Sequence, residues 1–180
     1  MELLKEYEAT YRVLPSRLVL RGTVIKGFGR GSKELGIPTA NLDVDALGES
    51  LKGVDAGIYC GFACIDPSPE DASVSLGEVP STSPILQGKV YKMVMSIGWN
   101  PFFKNEKKTV EPYLIHDFGG KDFYGSKLSL VVTAFLRPEL NYTTLENLIT
   151  AIHKDIDLSS ALLDAETRRE EIGKLLFQIN

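Results

Sequence analysis

Three runs of β-type residues, 89–97, 109–116 and 127–136, follow one another in the second half of the chain, joined by short connections containing Gly, Asn, Pro and Asp. No helical period occupies those connections, so none supplies the crossover that parallel neighbours need. The three strands are therefore expected to pair as hairpins in an antiparallel sheet. Two earlier runs join them: 17–26, interrupted only by Gly22, and 57–65, with Ile58, Cys60, Phe62 and Cys64 on one face. Closing such a sheet into a small barrel would remove its exposed edges.

Helical spacing appears only at the two ends. Leu3, Leu4, Tyr7 and Tyr11 predict a short amphipathic helix over 2–12, stopped before Pro15. Thr143-Thr144-Leu145-Glu146 fits a capping box, after which Leu145, Leu148, Ile149, Ile152 and Ile156 recur at helical intervals. A further helix is expected over about 165–177, with Ile172, Leu175 and Leu176 inward. The predicted fold is thus mainly β, a barrel over about 17–137 with helices packed outside it or across one end, the C-terminal ones over about 143–178. With 180 residues and 43% hydrophobic content, the chain has one core to fill and is expected to form a single domain over 1–180.

The net charge is −4, from 20 basic and 24 acidic residues, which offers no general footprint for nucleic acid or an anionic membrane. Its location matters more than its size. Residues 66–88 hold four prolines, five serines, no Lys or Arg, and the acids Asp66, Glu70, Asp71 and Glu78. This long surface loop accounts for the whole excess. No basic stripe interleaved with aromatics is present elsewhere, so a barrel for single-stranded nucleic acid is disfavoured. The N-terminus has no apolar segment of a secretion signal, and a cytoplasmic protein is expected, with organellar import left open. Cys60 and Cys64, four apart on a strand, have Cα atoms about 13 Å apart, beyond disulfide reach, and are read as core-facing thiols.

The densest chemical signal is Lys26-Gly27-Phe28-Gly29-Arg30-Gly31-Ser32-Lys33. Glycines at alternate positions let a turn point several N–H groups into one concavity, and Lys26, Arg30 and Lys33 add charge suited to phosphate. A bare glycine turn with solvated basic residues is the competing reading. No G-x-x-x-x-G-K-[ST] motif occurs, and Pro38 follows the glycines too soon for the helix of a dinucleotide fingerprint.

Several further motifs stand in order along the chain: Leu35-Gly36-Ile37-Pro38-Thr39-Ala40-Asn41, Gly57-Ile58-Tyr59, Ser96-Ile97-Gly98-Trp99-Asn100-Pro101, Thr109-Val110-Glu111, Asp122-Phe123-Tyr124-Gly125 and Leu136-Arg137-Pro138-Glu139. With the glycine turn, these make the sequence resemble the riboflavin kinase (flavokinase) family over about residues 21–155. The resemblance implies a six-stranded antiparallel Greek-key-like barrel with helices, and transfer of phosphate from ATP to the ribityl 5′-hydroxyl of riboflavin, giving FMN and ADP. It implies Glu111 as the catalytic base, Thr39 and Asn41 as ligands of the Mg²⁺ of Mg-ATP, and nucleotide contacts at Gly27, Gly29, Gly31, Lys33, Thr39 and His116. Lys104, Thr109, Arg137 and Asp155 fall at the flavin.

Two neutral oxygen ligands suit a hard cation but do not separate Mg²⁺ from Zn²⁺ or Mn²⁺. Glu111 shares strand parity with Tyr113 and Ile115 and is expected to face the barrel interior; an ion pair with a lysine of 104–108 is its bland reading. Relatives often carry His two residues after this Glu, where Tyr113 stands. No domain-sized segment precedes the barrel, so a monofunctional, eukaryotic-type kinase is expected, monomeric, with small-molecule substrates and neither nucleic acid nor membrane as partner. The alternative is a barrel that retains FMN without making it.

Overall fold

The computed structural model describes residues 2–26, 37–66, 90–99, 107–120, 123–166 and 169–177. Within them lie helix α1 (Glu2–Tyr7), strands β1 (Arg12–Ile25), β2 (Asn41–Leu42), β3 (Gly57–Ile65), β4 (Val90–Trp99), β5 (Lys108–Leu114) and β6 (Lys127–Arg137), and helices α2 (Leu145–Asp164) and α3 (Arg169–Phe177). The strands form one antiparallel six-stranded sheet in the order β2-β1-β6-β3-β4-β5. Its two ends meet where the Ala40 N–H donates to the Pro112 carbonyl at 2.9 Å. That bond draws the sheet into a nearly closed barrel. Pro112 lacks an N–H, a tolerable loss on a strand facing a two-residue partner but costly inside a long ladder.

Each long strand divides its residues between two cores. Leu20, Val24, Tyr59, Met95, Ile97, Val110, Leu128, Leu130 and Val132 fill the barrel interior. Cys60, Phe62, Cys64, Val94, Val131 and Leu136 point outward and pack with Tyr7, Leu158, Leu163, Ile172 and Leu176 of the helices. The wall is therefore buried on both sides over much of its area, which is why β6 reads as an almost unbroken apolar run. Both thiols are buried, Cys60 and Cys64 lying in the layer under the helices.

Several boundaries differ from the sequence reading. The first helix ends at Tyr7, where Thr10 and Tyr11 N–H groups return to the Tyr7 carbonyl. Strand β1 starts at Arg12, five residues earlier than expected, because Arg12 and Val13 pair with Phe135 and Ala134 across a bulge that accommodates Pro15. The cap of α2 is Thr144, whose Oγ1 accepts from Asn147 N–H at 3.2 Å, so the Thr143–Glu146 capping box does not form. Strand β3 matches its expected span end to end. The loop read over 66–88 lies, apart from Asp66, outside the described residues. No described helix is long and apolar enough to cross a membrane.

Backbones approach most closely at Gly61, where a Cβ would stand 2.1 Å from the Val131 carbonyl oxygen and 2.9 Å from Val132 Cα. Gly61→Ala should force β3 from β6 and cost about 2–3 kcal/mol, a drop of roughly 5–12 °C in Tm by calorimetry. Gly48→Ala, in right-handed helical backbone with open space around it, should leave Tm within about 2 °C.

Burial pushes the Cys60 thiol up to about 12 and the Cys64 thiol up to about 11, from an ordinary 9.0. Because the folded state holds these protons more tightly, their contribution is complete below pH 9 and is lost as pH climbs through 11–12. Denaturant midpoints should fall over that window, more steeply than in a Cys60→Ala, Cys64→Ala double variant. At pH 8 a disulfide reagent should label neither thiol before unfolding.

Candidate active site

The seam between β2 and β5 collects the first group of residues singled out in the sequence. Ala40 and Leu42 point into the barrel core, so Thr39 and Asn41, both half-buried, alternate to the outer side. On β5, Val110 and Leu114 point inward while Thr109, Glu111 and Tyr113 share the opposite face, Tyr113 packing into the helix-side layer. Glu111 therefore lies on the outer face, not the interior expected for it. Tyr113 and Ile115 misled by being apolar: the outer face of β5 is itself partly covered, so apolar character does not mark the inside. Through the Ala40–Pro112 bond, the segment bearing Thr39 and Asn41 is held against the residue following Glu111. Of the lysines expected near Glu111, Lys107 pairs with Asp45 at 2.7 Å and Lys108 donates to the Leu51 and Val54 carbonyls.

A second group lies across the sheet. Register places Glu111 opposite Ser96, Ser96 opposite Ile58, and Ile58 opposite Arg137. Three interstrand steps separate the ends of this row, about 14 Å. At its far end Arg137 grips Asp155 of α2 in a two-pronged pair, Nε to Oδ1 at 2.9 Å and Nη2 to Oδ2 at 2.5 Å. Side-chain exposure is 11% for Arg137 and 4% for Asp155, so the pair is desolvated. Burial pulls the Arg137 pKa down, but the hydrogen bonds and charge of Asp155 outweigh it and the net shift is upward. The Tyr7 hydroxyl also donates to Asp155 Oδ1, at 2.8 Å; burial first, and Asp155 next, raise its pKa well above the usual tyrosine value.

Between the two groups stands Glu139. A Cβ on Gly98 would meet its Oε1 at 2.5 Å, so the carboxylate rests directly on the β4 backbone and a larger residue there would displace it. Partial burial and then the charge of Glu111 raise the Glu139 pKa, with Arg137 opposing. Thr109, opposite Gly98, sits beside this contact.

His116 stands apart. It is exposed beyond the end of β5, up to about 16 Å along the strand direction from Glu111. Its ring lies 5.0 Å from Tyr91 and 4.9 Å from Phe118, centroid to centroid, and lines a cavity of about 420 Å³ together with Lys92, Asp164 and Ile172. Gly27, Gly29, Gly31, Lys33 and Lys104 lie outside the described residues. Among the described residues no group of three or more His, Cys, Asp or Glu is gathered to hold a metal ion. Thr39 and Asn41 offer two neutral oxygen donors, which fit a hard cation whose remaining ligands come from phosphate and water.

Tyr7 and Glu139 were not identified by sequence reasoning. Tyr7 registered only as an apolar position of a helix, and its partner is 148 residues away. Glu139 belongs to a recognised motif, yet nothing in the spacing pairs it with Gly98.

The family model and the curated relatives agree on one family. The Flavokinase family model, described as riboflavin kinase, matches residues 14–163. A riboflavin kinase of Mus musculus is 43% identical over 160 residues, covering 89% of this chain and 90% of that protein. A bifunctional riboflavin kinase/FMN phosphatase of Arabidopsis thaliana is 45% identical over 143 residues; the match takes in 79% of this chain but 32% of that longer protein. The crystal structure of riboflavin kinase from Trypanosoma brucei superposes with a TM-score of 0.61 at 27% identity, covering 86% of this chain and 84% of that one.

The buried pair makes a direct prediction. Asp155→Ala leaves the Arg137 guanidinium buried without its counter-charge and should cost about 3–5 kcal/mol, roughly 6–20 °C in Tm. Glu6→Gln, which breaks the exposed Glu6–Lys154 pair, should cost less than about 1 kcal/mol in the same calorimetric comparison.

Proposed function

This chain belongs to the riboflavin kinase family, and on that premise we propose that it transfers the γ-phosphoryl group of ATP to the 5′-hydroxyl of riboflavin, giving FMN and ADP. Residues 1–180 are read as one catalytic domain. The observation that carries the reading is the Ala40–Pro112 bond, which sets Thr39 and Asn41 beside the strand that bears Glu111. Phosphate-side and hydroxyl-side chemistry are thereby juxtaposed on one outer wall.

Glu111 is assigned the proton transfer. A ribityl hydroxyl is a weak nucleophile at neutral pH, and a carboxylate that accepts its proton while aligning the oxygen contributes roughly 10²- to 10⁴-fold. The O–P bond to riboflavin forms as the bond between the γ-phosphorus and the bridging oxygen breaks, with ADP leaving. Register locks the Glu111 backbone opposite Ser96 on β4, so the base is presented from a rigid strand and not from a loop. Thr39 Oγ1 and Asn41 Oδ1 are assigned to Mg²⁺ entering with ATP; the bound cation would offset phosphate charge. With no carboxylate in that pair, the metal should bind weakly until the nucleotide is present. Arg137 and Asp155 are assigned to the flavin end: Arg137 lies three strands from Glu111, a path of about 14 Å along the wall, which leaves room for a ribityl chain between the base and the ring. His116, beyond the other end of β5, is assigned to the nucleotide.

Incubation with riboflavin and Mg-ATP should yield FMN on chromatography; bound FMN without turnover would mark a barrel that only retains the flavin. Glu111→Gln should lower kcat by roughly 10²-fold or more while KM for ATP stays within about threefold. An unchanged kcat would remove Glu111 from proton transfer.

A further inference from the structure

Helix α1 lies outside residues 14–163 matched by the family model, yet its last residue is among the most buried of the described aromatics, Tyr7 being 5% exposed. Two tethers bring this segment to the end of β6. Thr10 Oγ1 donates to the Leu136 carbonyl at 2.7 Å, and Tyr7 Oη donates to Asp155 Oδ1 at 2.8 Å. They bracket Arg137, one acting on its neighbour in the strand and the other on its counter-ion. A third contact, Glu6 to Lys154, is solvent-exposed and aligns α1 along α2.

Donor bookkeeping shows what this clamp leaves over. A guanidinium has five N–H groups. Nε and one N–H of Nη2 go to Asp155, and one N–H of Nη1 goes to the Pro138 carbonyl at 3.0 Å. Two N–H groups stay uncommitted among the described residues. Because the guanidinium is planar, their direction is fixed by how Asp155 holds the opposite edge. Asp155 in turn projects from a helix, and among the described residues its side chain accepts from Tyr7 and Arg137 alone. Without the hydroxyl, Oδ1 loses one of two donors and the carboxylate gains rotational freedom, which Arg137 inherits.

We infer that Tyr7 is a positioning residue for flavin binding: its hydroxyl holds Asp155 so that the two remaining Arg137 donors meet the flavin in a set plane. This rests on the assignment of Arg137 to the flavin end. The N-terminal helix, outside the matched family region, thereby becomes part of the riboflavin site while touching no substrate itself.

The test uses the full chain and three variants, Tyr7→Phe, Glu6→Gln and Arg137→Lys. The readouts are KM for riboflavin and for ATP from initial rates, kcat, and the Kd of FMN from quenching of flavin fluorescence. Tyr7→Phe keeps the ring and its packing, so it should fold. It should raise KM for riboflavin and Kd for FMN roughly three- to tenfold, with KM for ATP and kcat within about twofold. Glu6→Gln should change none of these beyond about twofold. A merely structural Tyr7 would lower Tm and leave KM for riboflavin unchanged, and that result, or equal rises in both KM values, overturns the inference. Arg137→Lys separates the two levels. If it raises KM for riboflavin while Tyr7→Phe does not, Tyr7 alone is excluded; if it leaves riboflavin binding unchanged, Arg137 is not at the flavin and the inference falls with that assignment.

Discussion

One hydrogen bond, from the Ala40 N–H to the Pro112 carbonyl, converts an open six-stranded sheet into a nearly closed barrel. Without it β5 and the two-residue β2 would be free edges, and the residues before β2 would have no fixed relation to β5. With it, Ala40 is locked into the interior core and its neighbours Thr39 and Asn41 are turned to the outer side. The same contact immobilises the carbonyl next to Glu111. Fold closure and assembly of the proposed site are thus linked, and a substitution that opens the seam should disturb both.

The outer wall of the barrel is used twice. Over most of β3 and β6 it packs against α2 and α3, so these strands are largely apolar on both faces. Toward the end that carries Ser96, Gly98, Glu111 and Arg137, polar groups take the outer positions. Gly98 lets Glu139 lie against the sheet at that end, and Asp155 neutralises Arg137 as the wall passes from core to site. A desolvated ion pair of this kind is weak as a source of stability, since burial costs offset the attraction. Its value lies in orientation: two prongs fix the guanidinium plane in a way a solvated pair would not.

The strands were legible because burial on both faces writes long apolar runs; β3 was readable end to end, and β6 to within one residue. That same property hid the side to which Glu111 points. Alternation divides β5 into two sets, but Tyr113 and Ile115 are as apolar as Val110 and Leu114, so the interior set could not be chosen by hydrophobicity alone. The resemblance marked Thr39, Asn41, Glu111, Arg137 and Asp155, which the fold gathers into two groups, one at the β2–β5 seam and one at the end of β6. The link between Tyr7 and Asp155 had no sequence signal, because local periodicity carries no information about a partner 148 residues distant.

At the β2–β5 seam, on the proposed function, the cation of the nucleotide meets the base. Paramagnetic broadening measures this directly. With Mn²⁺ and ADP added to the isotopically labelled chain, amide signals of Ala40, Asn41 and Glu111 should broaden most, and that of Leu158, in the helix-side core, should be spared. Broadening centred away from the seam, with Ala40 and Glu111 untouched, would contradict it.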